Sequence, residues 1–409
     1  MRIAILAWES LHSVHVGGLG VVVTRTAEEL AKRGHDVYLF TRAAEGQSKH
    51  TRINDVNYCR CKFDPGKDIL SFFSNMSKAM VKELHAVARH SGRFDLVHGH
   101  DWHVADALYE FKKEGYPVVL SYHSSEYGRR GGTLSTQSEF KKISAREGLG
   151  GRVSDRIITV SKTMRKELCK LYKIPREKVD IISNAISPRK YRKEVDPKKV
   201  KKKYGVPLFA PTVFFIGRLE FQKGPDLLID AIPRVLENRA DVKFLLAGKG
   251  TMKSFLRRRV RKLGVGGAVR FLGWIPYGRY VDLLNTCDIV CIPSRNEPFG
   301  IVLLEAWATG RPVVATDVGG LRENIKNLVN GVKVRPRPKS IARGINYLFD
   351  HPHVIERVGA KGKEKVRRFN WASLIKKLLK TYHRVLESRA TSFAPVKGSK
   401  RHHLTSGLH

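Results

Sequence analysis

Acidic residues and cysteine are both scarce in this chain of 409 residues. Its 38 Asp and Glu stand against 76 Lys and Arg, and its five cysteines are too few and too irregularly spaced for a disulfide framework or a zinc site. No apolar run approaches the roughly 18 residues needed to span a bilayer, and the apolar stretch at the N-terminus is too short for a signal peptide. We therefore expect a cytoplasmic globular protein without a transmembrane helix.

Positive charge is spread along the whole chain and gives a formal net charge of +38. The longest basic runs lie at 198–203 and 257–262. A protein this basic is attracted to polyanions, but no helix-turn-helix, zinc-finger or stacking-aromatic motif accompanies these runs. The composition favours a solvated basic surface, leaves adhesion to anionic lipid as an alternative, and disfavours nucleic acid as a partner.

Short apolar runs alternate with amphipathic stretches, with roughly 30 residues per strand–helix–strand unit. This order requires right-handed crossovers and predicts parallel sheets covered by helices on both faces, apart from a hairpin-like stretch around residues 56–63. The alternation breaks at 185–211, which holds four prolines, and then restarts. We predict an α/β protein with two doubly wound parallel-sheet domains, residues 1–187 and 188–370, facing each other across a cleft, and a disordered tail over 389–409.

Two adjacent glycines, Gly17 and Gly18, follow the first predicted strand and lead into a helix that begins near Leu19. Adjacent glycines let the backbone approach a ligand, and the start of a helix offers free N–H groups to an anion. The residues could also form an ordinary tight turn, but their position between strand and helix favours contact with a phosphate or a sugar. The pattern is not Gly-x-Gly-x-x-Gly, which argues against an NAD enzyme.

A second candidate site follows the first strand of the second half. Arg218 and Lys223 lie there in a loop with glycines at both ends. A guanidinium can bind two phosphate oxygens at once, while an ammonium adds a compact second charge. Simple surface charge is the alternative in a lysine-rich chain, but the position at the carboxyl end of a strand favours anion binding.

The third candidate site is the segment 295–305, where a Pro-Phe-Gly turn leads from a strand into a helix. The helix start offers the N–H groups of Gly300 and Ile301 to an anion. Glu297 lies in the turn and Glu305 about one turn into the helix. Because a carboxylate placed on a phosphate would repel it, we expect the two glutamates to bind hydroxyls. A nucleotide sugar supplies both partners, hexose hydroxyls for Glu297 and the ribose diol for Glu305.

Together these elements resemble the donor site of the retaining glycosyltransferases of family 4 and the related glycogen and starch synthases, which share the GT-B fold of two Rossmann-like domains. The resemblance extends over residues 1–387 and includes Asp-Val-Gly-Gly-Leu-Arg-Glu at 317–323. His-Gly-His-Asp-Trp-His at 98–103 and Trp8-Glu9 resemble more narrowly the archaeal glycogen-synthase-like members. The GT-B fold implies an interdomain cleft and a C-terminal helix, 371–387, that crosses back onto the first domain.

The resemblance also implies a role for each motif residue. Arg218 and Lys223 would hold the donor diphosphate and Glu305 the ribose, while His123 and Glu297 would lie beside the transferred sugar as the catalytic pair. Glu9 and Asp101 would face the acceptor side of the cleft. Other donor contacts would come from Gly17, Gly18, Phe299, Gly300 and Ile301.

The implied activity is the transfer of a hexose, with glucose favoured, from UDP- or ADP-glucose to an α-glucan, with retention and as part of carbohydrate metabolism. Cationic side chains and a helix start would stabilise the leaving diphosphate without a metal. No cofactor is expected, since the nucleotide sugar is a substrate. The main alternative is the same chemistry on a lipid-linked or cell-surface glycan, with the basic helix at 77–93 on the inner face of an anionic membrane. A polyanion-binding module on an inactive transferase scaffold and a sugar phosphorylase are further alternatives.

Overall fold

Eight strands form the first sheet, in the order β3-β4-β2-β1-β5-β6-β7-β8. The computed structural model describes residues 1–392. The strands are β1 (Arg2–Leu6), β2 (Asp36–Arg42), β3 (His50–Ile53), β4 (Val56–Cys61), β5 (Leu96–His100), β6 (Val118–Tyr122), β7 (Arg156–Thr159) and β8 (Val179–Ile181). The helices among them are α1 (Gly18–Ala31), α2 (Ile69–Ser91), α3 (Ala105–Lys113), α4 (Glu126–Arg129), α5 (Ser138–Val153) and α6 (Lys162–Tyr172).

The second sheet has six strands, all parallel, in the order β11-β10-β9-β12-β13-β14. Its strands are β9 (Thr212–Ile216), β10 (Lys243–Ala247), β11 (Val269–Gly273), β12 (Ile289–Ile292), β13 (Val313–Thr316) and β14 (Val332–Val334). The remaining helices are α7 (Pro197–Lys203), α8 (Pro225–Leu236), α9 (Lys253–Lys262), α10 (Tyr277–Thr286), α11 (Ile301–Ala308), α12 (Gly319–Asn324), α13 (Pro338–Asp350), α14 (Pro352–Lys365) and α15 (Trp371–Ser392). Two parallel-sheet units therefore follow one another, as the alternation predicts.

The central strand β1 shows why the first sheet is covered on both faces. Ile3 and Ile5 share a core with residues of α1 and α15, whereas Ala4 and Leu6 share one with residues of α2 and α3. All four side chains are fully buried. Successive residues of a strand point to opposite faces, so an uninterrupted apolar run fits a strand with helices on either side.

The C-terminal helix α15 returns to the first sheet, where Nδ1 of His98 in β5 lies 2.6 Å from the hydroxyl of Tyr382. The helix continues to Ser392, beyond the predicted end at 387. The predicted disordered tail, 389–409, therefore begins inside a helix, and residues 393–409 lie outside the described part of the chain. The prediction is wrong at 389–392, where the helix continues and Arg389 donates to the carbonyl of Gly115 in the first unit at 2.6 Å.

Two parts of the first half differ from the sequence prediction. The hairpin lies at 50–61, because β3 pairs antiparallel with β4 through Asn54 and Asp55, both at positive φ. The helix α5 is not predicted by hydrophobic pattern, since three glycines interrupt it. An added Cβ at Gly150 would lie 2.7 Å from Leu120 in β6, so glycine allows this helix to pack directly on the sheet.

The carboxyl ends of the two sheets face each other, and several contacts join them. The carboxylate of Glu323 in α12 accepts hydrogen bonds from the backbone N–H groups of Lys162, at 2.9 Å, and Thr163, at 2.5 Å, which begin α6. A Cβ at Gly128 would lie 2.9 Å from Oδ1 of Asn296, so α4 also lies against the second unit. Within residues 1–392, no helix combines the length and the apolarity that a membrane crossing requires.

Candidate active site

The early glycine turn lies between the two sheets and is held in place by Glu9. The carboxylate of Glu9, which is 2% exposed, accepts hydrogen bonds from the backbone N–H groups of Val16, at 2.6 Å, and Gly17, at 2.8 Å. A Cβ at Gly18 would lie 3.2 Å from Cδ1 of Ile301, at the start of α11. The turn therefore lies against the Pro-Phe-Gly segment of the other unit, and the structure gives Glu9 a role in positioning this turn.

The loop after β9 places Lys223 against the turn after β12. Nζ of Lys223 lies 2.7 Å from Oε2 of Glu297, and the hydroxyl of Ser294 lies 3.2 Å from the same oxygen. Arg218 donates to Oε1 of Gln222 at 2.9 Å and opens to solvent within the cleft. The surrounding protein lowers the pKa of Arg218, and the nearby cation of Arg129 adds to this effect. Glu297 and Glu9 act in the opposite direction, so Arg218 lies among charges of both units.

The glycines of the Asp-Val-Gly-Gly motif pack against the backbone of the turn that carries Glu297. A Cβ at Gly319 would lie 2.0 Å from the carbonyl oxygen of Glu297, so a larger residue cannot occupy this position without displacing the turn. The N–H of Gly320 donates to the same carbonyl at 2.8 Å. Glu297 and Phe299 are 8% and 3% exposed. The motif at 317–323 thus supports the start of α11 from behind.

Glu305 is held by two tyrosines that the sequence motifs do not indicate. Its Oε1 accepts a hydrogen bond from the hydroxyl of Tyr191 at 2.8 Å, and its Oε2 accepts one from the hydroxyl of Tyr280. Burial raises the pKa of Glu305, and these two donors act against that rise. Each carboxylate oxygen retains a lone pair, so the group can still accept from a diol.

His123 follows β6 on the other side of the cleft and is fixed by two neighbours. Its backbone N–H donates to Oδ1 of Asp101 at 2.7 Å, and Asp101 itself has a positive φ of 57°. Its Nε2 lies 3.0 Å from Nδ1 of His100, with the two rings stacked. Burial lowers the pKa of His123, so the imidazole is neutral at pH 7.

Comparison with known proteins identifies the family. The model for Glycosyltransferase Family 4 matches residues 16–190, and that for Glycosyl transferases group 1 matches residues 196–365. An uncharacterised glycosyltransferase of Methanocaldococcus jannaschii is 35% identical over 394 residues, which is 95% of this chain and 99% of the relative. The chain belongs to glycosyltransferase family 4. A glycogen synthase of Mycobacterium tuberculosis is 30% identical over 395 residues, 91% of this chain and 92% of that enzyme.

Solved structures place this family 4 glycosyltransferase in the GT-B fold, which confirms the predicted fold class. Sucrose-phosphate synthase from Thermosynechococcus elongatus superposes with a TM-score of 0.81 at 21% identity, over 95% of this chain and 99% of that one. HepE of Anabaena in complex with UDP-glucose gives a TM-score of 0.75 at 20% identity, over 94% of this chain and 100% of that one.

The structure of the glycosyltransferase brings most of the predicted site residues together. Gly18 lies against Ile301, and Lys223 forms an ion pair with Glu297. Charged side chains on both sides of the cleft act on the pKa of Arg218. Their roles in binding and catalysis stay predictions. Gln222 in the loop after β9 and His100 in the motif at 98–103 lie within the predicted segments, but the motif analysis assigns them no role. Tyr191 and Tyr280, which hold Glu305, lie outside the motifs, because they come from other parts of the chain.

Proposed function

We propose that this glycosyltransferase moves a hexose, with glucose favoured, from a nucleoside-diphosphate sugar to a carbohydrate hydroxyl, with retention of configuration and without a divalent metal ion. The contact of Lys223 with Glu297 is the observation that carries the proposal. It joins the loop predicted to bind a diphosphate to the turn predicted to meet the transferred sugar. A single nucleotide sugar bound across this junction would touch both.

The leaving diphosphate gains negative charge as the glycosidic bond breaks. Arg218, Lys223 and the amino end of α11 are positive groups that would stabilise this charge, which is the basis for proposing metal-independent chemistry. Glu297 would accept hydrogen bonds from sugar hydroxyls, and neutral His123 would contact the sugar from the opposite wall. Glu305 would hold the ribose.

An α-glucan is the first candidate acceptor, supported by the likeness to a glycogen synthase over most of both chains. Glucose as the transferred sugar is supported by the presence of UDP-glucose in a GT-B structure of similar shape. A cytoplasmic location is part of this proposal, since a nucleotide-sugar donor and a role in glycogen metabolism would place the enzyme there.

A thermal-shift panel of nucleoside diphosphates and their glucose esters tests the donor. One nucleotide should stabilise the protein, by about 2.7 kcal/mol at a concentration 100 times its dissociation constant. Donor hydrolysis should be lost in Lys223→Ala and Glu297→Ala, retained in the control Lys262→Ala on α9, and unaffected by a chelator. No stabilisation by any nucleotide would refute the proposal and favour an inactive, polyanion-binding scaffold.

A lipid-linked acceptor is a second candidate, because α2 and the chain just beyond its end present four exposed cations to solvent: Lys78, Lys82, Arg89 and Arg93. Such a face suits an anionic membrane. Sedimentation with vesicles of anionic and of neutral lipid, at low and high salt, tests it. Binding that requires anionic lipid and fails in a variant with all four cations changed to glutamine would support this acceptor class, and absence of binding would remove it.

A further inference from the structure

A cavity of about 200 Å³ lies where the chain passes between the two sheets. Its walls come from the outgoing segment 182–184, directly after β8, and from the returning segment 368–377, which includes the first two turns of α15. The N–H of Ile186 donates to the carbonyl of Phe369 at 3.0 Å, so the two segments are joined next to this cavity. We call it the crossover cavity.

The crossover cavity is lined by polar side chains, one of which is deeply buried. They are two cations, two hydroxyls and two amides: Arg368, Lys377, Ser183, Ser373, Asn184 and Asn370. Asn184 is 6% exposed, and its side-chain amide has no hydrogen-bond partner in residues 1–392. Neither atom of this amide is enclosed by protein, so the group is open to the space that Asn184 lines. It can therefore donate to, and accept from, a ligand.

Arg368 and Lys377 lie at the rim of the crossover cavity, where both residues are exposed. The described part of the chain gives neither of them an ion pair and places no carboxylate in the cavity wall. Glu364, four positions before Arg368, pairs with Lys361 at 2.9 Å. This pair lowers the pKa of Glu364, and the charge of Arg368 acts on it less strongly. The two rim cations are thus available to an anion.

The amino end of α15 adds to the positive potential of the crossover cavity. Oδ1 of Asn370 accepts a hydrogen bond from the backbone N–H of Ser373 at 2.9 Å and so caps the helix. The first N–H groups of a helix have no partner within it, and a helix of 22 residues is positive at this end. Asp180, the carboxylate in β8, is already bonded to Thr381 and to Arg156, each at 2.8 Å.

We infer that the crossover cavity is an effector site for a small organic phosphate. A phosphomonoester has three acceptor oxygens and up to two negative charges, which match two cations, two hydroxyls and a free amide. A carboxylate has one charge and two oxygens and would leave donors unused. Apolar side chains that suit a carbon skeleton also line the cavity: Ile182, Phe369 and Leu374. The inference goes beyond the proposed function, which gives this cavity no role.

The position of the cavity connects it to the candidate active site. Asn184 also lines a second, smaller cavity, whose walls include His100 and His123. A phosphate that bridges Asn184 and Arg368 would tie the outgoing segment to the returning one. The nucleotide is predicted to bind between the sheets, so both ligands depend on the same arrangement of the two units. Each should therefore change the affinity for the other by the same factor.

Calorimetric titration of the full chain tests the site. The probes are ribose 5-phosphate, glycerol 3-phosphate, inorganic phosphate and neutral ribose. The nucleoside diphosphate that stabilises the protein is present at saturation, so that the predicted donor site is filled. We expect one molecule of a phosphate ester to bind per chain and ribose not to bind. Absence of ester binding would overturn the inference, and inorganic phosphate that binds as tightly as either ester would overturn the assignment to an organic phosphate.

A matched pair of double variants separates the cavity from the general basic surface. Arg368→Gln/Lys377→Gln removes both rim cations, whereas Arg367→Gln/Lys376→Gln removes the adjacent exposed cations, which do not line the cavity. Both variants lose the same charge. The first should weaken ester binding about tenfold or more, the loss expected for a charged hydrogen bond, and the second less than about twofold. Equal weakening in both variants, or none in either, would overturn the inference.

The effector role has a separate measurement. The dissociation constant of the nucleotide should differ about fivefold or more with and without saturating ribose 5-phosphate, and this difference should vanish in Arg368→Gln/Lys377→Gln. A nucleotide affinity that the ester does not change would overturn the effector role. Failure of the wild type to bind any nucleotide would instead refute the transferase function, and ester titrations without nucleotide would still decide whether the cavity binds a phosphate.

Discussion

Replacing Lys223 by alanine tests the centre of the candidate donor site. Its Nζ is 2.7 Å from Glu297, and the two side chains are 23% and 11% exposed. The pair thus lies between a surface ion pair, which contributes at most about 1 kcal/mol, and a buried one, whose breaking costs about 3–5 kcal/mol. We expect Lys223→Ala to lose about 1–3 kcal/mol of unfolding free energy, because the hydroxyl of Ser294 still contacts the carboxylate.

The effect on activity should be larger than the effect on stability. A charged hydrogen bond to a phosphate contributes about 1.5–3 kcal/mol, so the donor should bind roughly 10- to 100-fold more weakly. If Lys223 also stabilises the departing diphosphate, turnover should fall by about 100- to 1,000-fold, as it does when one donor to a developing negative charge is removed.

The double variant Lys223→Ala/Glu297→Gln separates these two effects. The amide removes the uncompensated carboxylate, so urea denaturation should show stability within about 1 kcal/mol of wild type. Donor hydrolysis should stay absent, and nucleotide titration should stay weak. Donor affinity that equals wild type in Lys223→Ala would show that Lys223 serves only to neutralise Glu297, and the reasoning about a diphosphate site would be refuted.

Three further substitutions probe the fold around the site. Glu323→Ala removes the carboxylate at the amino end of α6; we expect a loss of about 1–2 kcal/mol and a larger radius of gyration in small-angle scattering, and an unchanged radius would show that other contacts hold the two sheets. Burial raises the pKa of Glu147 from 4.5 to about 7, so the folded state binds this proton more tightly than the unfolded chain. The free energy of unfolding should therefore decrease by up to about 3 kcal/mol as the pH rises from 4.5 to 7. Urea denaturation at each pH should show no such decrease in Glu147→Gln. Tyr382→Phe leaves Nδ1 of buried His98 without its partner and should cost about 1–3 kcal/mol, whereas the control Tyr204→Phe, whose hydroxyl is unpartnered in the described residues, should cost less.

The sequence predicts the positions of the site loops because parallel sheets follow a simple rule. Each strand's carboxyl end lies at the same edge, so the residues after β1, β6, β9 and β12 must approach one cleft. Arg218 and Lys223 follow β9, and Glu297 follows β12. This reasoning requires only the positions of the strands along the chain, which the apolar runs indicate. The structure places these residues at the ends of those strands.

The partners of those residues are not predictable in the same way. Tyr191 is 114 positions from Glu305, and nothing in the residues near Tyr191 marks it as a hydrogen-bond donor to that carboxylate. Arg42 and Arg60 look alike in the sequence, each at or near the end of a strand. Arg60 nevertheless donates several hydrogen bonds, whereas Nε of Arg42 is buried without a partner in the described residues. Hydrophobic pattern reports which side of an element is buried, whereas pairing of polar groups depends on contacts across the whole fold.

The connection between the two sheets shows how such pairing bears on function. Nε of Arg192 donates to the carbonyl of Ala308 at 3.2 Å, and the side chain of Asn285 donates to the carbonyl of Tyr191 at 2.7 Å, so these residues are fixed to the second unit. Earlier in the connection, the N–H of Ile186 donates to the carbonyl of Phe369, in the returning chain, at 3.0 Å. Because Tyr191 also holds Glu305, we expect the proposed ribose site to stay with the second sheet if the two sheets change their relative position.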